Sequence, residues 1–123
     1  MRLGKLGIYS LLASLLMTGA FVSEALGQTT ARYRHTTTLL PDGNILVAGG
    51  TNNSDVPTTS AEIYRSTASI YVAAANMPVA RASHTATLLP DGRVLVAGGC
   101  SGVPCSGSIL NTAHTYDPRT NAW

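Results

Sequence analysis

Charge is scarce in this sequence. Acidic and basic residues make up 11% of its 123 positions, and no lysine follows Lys5. Without a basic run, or aromatics interleaved with arginine, nothing tracks a phosphate backbone. Nucleic acid is therefore excluded as a partner, and so is an acidic membrane surface. Cysteine occurs only twice, at Cys100 and Cys105, with no CxxC and no nearby histidine pair to complete a zinc tetrahedron. There is no G-x-S-x-G, no H-E-x-x-H, no Gly-Lys-Ser/Thr after a glycine loop and no G-x-G-x-x-G opening a helix. Those absences exclude the nucleophile-elbow, zincin and phosphate-loop chemistries. Asp42 and Asp91 sit in turn sequences and Asp55 stands alone, which leaves no carboxylate pair for acid–base work. The expectation is a non-enzymatic chain with no catalytic residue, cofactor or metal.

What is present is a repeat. Residues 31–50, ARYRHTTTLLPDGNILVAGG, return as residues 80–99, ARASHTATLLPDGRVLVAGG, and differ at only five of the 20 positions. Self-similarity at this period marks a chain of stacked supersecondary units. Each unit opens on an arginine and a Thr-rich run of high β-propensity. Pro-Asp-Gly follows, with proline presetting φ at the first central turn position and glycine supplying a positive φ at the exit. The next four residues, 45–48 or 94–97, are apolar and close on Gly49-Gly50 or Gly98-Gly99, too short a span for an ordinary helix. This pattern predicts a β-hairpin. A polar loop leads to a third strand around Tyr64 or Tyr116, and a further turn to a fourth at Tyr71 or Trp123. Four short strands in about 50 residues is the arithmetic of a propeller blade.

The run R-x-x-H-T-x-T-L-L-P-D-G-x-[IV]-L-V-A-G-G, then A-E-x-Y or A-H-x-Y, then an aromatic seven residues on, resembles the kelch repeat. The resemblance covers residues 31–123, and the form with Leu-Leu-Pro-Asp-Gly is similar to repeats common in exported bacterial proteins. It implies an all-β fold: a kelch-type β-propeller fragment of two four-stranded antiparallel blades, at 31–79 and 80–123, the second C-terminally incomplete. Tyr71 stands where the family usually has Trp, which implies a looser outer edge for the first blade. Secreted kelch propellers include chains that resemble galactose oxidase and sialic-acid mutarotases, so a fragment of such an enzyme is the alternative reading. A remnant with no independent function is another.

Ahead of the repeats, Arg2 and Lys5 precede an apolar stretch from Leu6 to Val22, and Ala25 and Gly27 form a small-x-small site. This describes a signal peptide over 1–27, cleaved after Gly27, and a secreted or periplasmic protein that meets a membrane only during export. An uncleaved anchor is the rival reading, at the short limit for spanning a bilayer. In an oxidising compartment, Cys100 and Cys105 suit a local disulfide, with free thiols as the alternative.

Two blades leave apolar faces that a closed ring would cover. Other propeller blades, from further sequence or from self-association, are thus expected partners, beside a protein or glycan ligand. His35 and His84 recur with the blade and read as packed, hydrogen-bonded structural groups, as do Gly49, Gly50, Gly98, Gly99, Tyr64, Tyr71, Tyr116 and Trp123. Arg32 and Arg81 suit blade-to-blade bonds or a place on a central channel. The loops after the double glycines differ most between the copies and are the expected contact surface. Their candidate residues are Thr51, Asn52, Asn53, Ser54 and Asp55 in the first, and Ser101, Val103 and Ser106 in the second.

Overall fold

A computed structural model describes residues 31–123; the signal-peptide reading of residues 1–27 lies outside them. Seven strands form two antiparallel sheets. β1 (Thr36–Leu39), β2 (Ile45–Ala48), β3 (Ala61–Arg65) and β4 (Ile70–Ala74) lie in the order β1-β2-β3-β4. β5 (Thr85–Leu88), β6 (Val94–Ala97) and β7 (Ala113–Tyr116) repeat the first three. Among the described residues there is no α-helix, only a 3-10 turn at Cys105–Gly107, and no helix is long and apolar enough to cross a membrane.

The hairpins follow from the Pro-Asp-Gly chemistry. Gly43 and Gly92 take φ of +84° and +87°, conformations that cost any residue with a Cβ. The Asp42 carboxylate accepts from the Asn44 amide at 3.0 Å, and Asp91 accepts from the Arg93 amide at 3.1 Å. The register is the same in both sheets: Thr36 pairs with Ala48, and Thr85 with Ala97, 49 residues on.

The first sheet has four strands and the second three, as two blades of a propeller fragment would. Asp117 and Ala122 make an isolated bridge around the turn that leads from β7 to Trp123. Each blade carries an aromatic pair at its outer edge. The Tyr64 and Tyr71 rings lie 4.9 Å apart at 53°, and Tyr116 and Trp123 lie 5.1 Å apart at 46°. Both are tilted arrangements that aromatic pairs favour.

The core is the seam between the blades. Side chains alternate across a strand, so one face of the first sheet presents Leu46, Ala48 and Ala61 to Val94, Val96 and Tyr116 of the second. Leu46 and Tyr116 are each 1% exposed, and burial of such side chains is worth about 1.5–3 kcal/mol apiece. Polar bonds cross the same seam. Gly50 donates its amide to the Arg81 carbonyl at 2.9 Å, Ser83 donates to the Arg34 carbonyl at 2.9 Å, and the Trp123 indole donates to the Ala75 carbonyl at 2.7 Å.

Candidate functional site

The repeated arginines direct guanidinium hydrogen bonds into their own blades, while the Arg81 backbone also bonds across the seam to Gly50 and Thr58. Arg32 donates to the Gly49 and Ser60 carbonyls at 3.2 and 3.1 Å and to the Glu62 carboxylate at 3.1 Å. Arg81, fully buried, donates to the Gly98 and Thr112 carbonyls at 2.9 and 3.1 Å. Its second nitrogen meets His114 Nδ1 at 2.9 Å, in the position that Glu62 holds in the first blade. Each guanidinium thus ties the end of one strand to the start of the next, beside the backbone bonds from the Gly49 and Gly98 amides to the Ser60 and Thr112 carbonyls. Burial raises the Glu62 pKa, and the Arg32 charge acts against it; burial also lowers that of Arg81.

The repeated histidines are not equivalent. His84, 7% exposed, lies in the seam with its Nε2 2.8 Å from the Thr36 hydroxyl. Its Nδ1 is buried without a hydrogen-bond partner, so the expected full satisfaction of this imidazole is not met. His35, with no blade over it among the described residues, is exposed.

At one end of the seam the two variable loops converge. The first is folded around Asn52, whose side-chain oxygen accepts from the Ser54 and Val56 amides at 2.9 and 3.1 Å. Asp55, at φ +61°, accepts a hydrogen bond from the Tyr33 hydroxyl and an ion pair from Arg34 at 3.6 Å. The Arg34 guanidinium also stands 5.3 Å from the Tyr33 ring centroid, a cation–π distance. In the second loop Cys100 and Cys105 form a disulfide with Cα atoms 5.2 Å apart. Closing so few residues gives a stabilisation of about 2 kcal/mol, at the low end for disulfides. Its main effect is to fix the loop's path.

Between the loops lies a cleft of about 540 Å³ lined by Arg34, Asp55, Ser83, Val103, Pro104, Cys105 and Ser106. Of the candidate contact residues, Asp55, Val103 and Ser106 meet there. Thr51 does not: it is buried and bridges to Tyr33 and Pro57. Asn52 lines a separate hollow of about 190 Å³. Asn53 and Ser54 are exposed and Ser101 half-buried, all outside the cleft. Arg34 and Ser83 also line the cleft, and no motif marks them. Both take positive φ, +57° and +54°, and both fall in the short stretch where the repeats diverge, Tyr33-Arg34 against Ala82-Ser83. That break in identity was the available signal. Among the described residues, no three His, Cys, Asp or Glu side chains gather as a metal site would need.

Two antiparallel sheets packed face to face, each fastened by a buried arginine and a double glycine, define a protein of propeller-type blades. Residues 81–123 match the family model of the kelch motif, so the second blade carries a kelch motif. The match spans the second blade; the first shares its plan through the internal repeat. None of the curated proteins matches the chain.

Proposed function

We propose that this chain is an exported binding module whose ligand, a protein segment or a glycan, occupies the cleft between the two variable loops. The observation that carries the reading is the convergence of Asp55, Val103 and Ser106 with Arg34 on one concavity. The loops are the parts of the repeat that vary, while the sheets under them keep their register. Variable loops on a rigid scaffold are where recognition is placed. A cation, a carboxylate, hydroxyls and an exposed valine together suit a polar ligand with one apolar contact. Asp55 is the cleft's one carboxylate and is held by Tyr33 and Arg34, an arrangement that supports positioning rather than proton transfer. The Cys100–Cys105 bridge supports an oxidising compartment.

The test is a screen of the full chain against immobilised glycans and a displayed peptide library, repeated with Arg34→Glu. Reversing that charge is expected to weaken the selected ligand at least about tenfold, since a charged contact is worth about 1.5–3 kcal/mol, with the β-type circular dichroism unchanged. A ligand that binds Arg34→Glu as tightly as the native chain, or no ligand from either library, would overturn the assignment.

A further inference from the structure

The two outer faces of this blade pair are the two halves of the seam inside it. In the seam the first blade presents Thr36, Leu46 and Gly49, and the second blade covers them with His84, Val94 and Tyr116. Moving each set to its counterpart in the other blade gives the outer faces. Thr85, Leu95 and Gly98 stand on the far side of the second blade, and His35, Ile45 and Tyr64 on the far side of the first.

Burial at these counterparts is asymmetric in the sense the comparison requires. Leu46 is 1% exposed while Leu95 is half-buried; Val94 is fully buried while Ile45 is half-buried; His84 is buried while His35 is exposed. The glycines are the most telling. A Cβ on Gly49 would collide with the Arg81 carbonyl, the His84 ring and Met77, whereas one on Gly98 would meet, among the described residues, only the Leu110 carbonyl at 3.9 Å. The hollow that an imidazole fills at Gly49 is open at Gly98, and the chain carries a second imidazole, His35, on the opposite face.

We propose that the far face of the second blade binds the far face of the first blade of a second copy of this chain, head to tail, setting His35 of one copy against Thr85 of the next. The occupant is a second copy because the seam shows what this surface accepts: a repeat identical to the first blade's own opening at 15 of 20 positions. Such a contact is heterologous, using different patches on the two partners, so it either closes into a ring or runs on as a filament. Propellers close with about four to eight blades, which corresponds to two to four of the blade pairs described. This assembly uses the sheet faces and not the loop cleft, so ligand binding and assembly fail independently.

The test is light scattering after size exclusion on the full chain, on His35→Asp, on Thr85→Arg and on an equal mixture of the two variants. Both substituted side chains are exposed, so each variant keeps its fold. The native chain is expected as one discrete oligomer and each variant as a monomer. Their mixture is expected to form a dimer and nothing larger, because each variant retains one intact face and only one pairing remains. A monomeric native chain would overturn the proposal, as would variants that keep the native mass, or a mixture that stays monomeric.

Discussion

Gly49→Ala is expected to destabilise the chain by about 2–5 kcal/mol, and Gly98→Ala by only about 1–2 kcal/mol, although the two glycines are repeat counterparts. Both have positive φ, +63° and +68°, and that conformation costs a residue with a Cβ about 1–2 kcal/mol. The rest of the Gly49 penalty is steric. The added methyl would meet the Arg81 carbonyl, the His84 ring and Met77 across the seam, and overpacking of this kind costs about 1–3 kcal/mol. At Gly98 no such wall stands. Urea unfolding of the two variants in the His35→Asp background, where no second copy covers Gly98, gives the comparison. Equal losses would mean that the penalty comes from backbone conformation alone and that the seam does not pack as described.

Acid is expected to loosen the same seam. Burial first, then the charges of Arg81 and His35, lower the His84 pKa to about 4. An imidazolium needs two acceptors, and the buried Nδ1 has none. In the unfolded chain the residue titrates near 6.5. Between these values the unfolded state binds the extra proton, so the contribution of neutral His84 is fully present above pH 6.5. It is lost as pH falls towards 4, by about 3 kcal/mol in all. Glu62, with its raised pKa, works in the opposite direction and is common to both proteins in the comparison. Urea midpoints at pH 7 and pH 4 for the native chain and His84→Gln measure the effect. The variant is expected to lose markedly less stability on acidification. A parallel decline of both would show that His84 is as readily protonated in the fold as outside it.

The backbone of this account was legible in the sequence because the turn chemistry is local. Pro-Asp-Gly and the double glycines fix where the hairpins begin and end, and the spacing to Tyr64 and Tyr116 places the third strands. What was not legible depends on which side of a blade is covered. Arg32 and Arg81 recur identically, yet one meets a glutamate and the other a histidine, because the partner comes from a strand whose sequence diverges. His35 and His84 are the same residue in the same motif, and only the neighbouring blade makes one buried and the other exposed. Thr51 was chosen because its loop varies, but variation does not report exposure, and the residue is buried by its bridge to Tyr33. Arg34 and Ser83 lie outside every motif, at the two adjacent positions where the repeats part.

The most direct test of the seam is amide hydrogen exchange at two glycines in the His35→Asp variant. The Gly50 amide is donated across the seam to Arg81, while the counterpart amide of Gly99 has no carbonyl partner among the described residues. Gly50 is expected to exchange as slowly as the amides of β2 and β6, and Gly99 at the rate of the surrounding loop. Fast exchange at both glycines would contradict the packing of one blade on the other, and with it the scaffold on which the cleft and the proposed assembly rest.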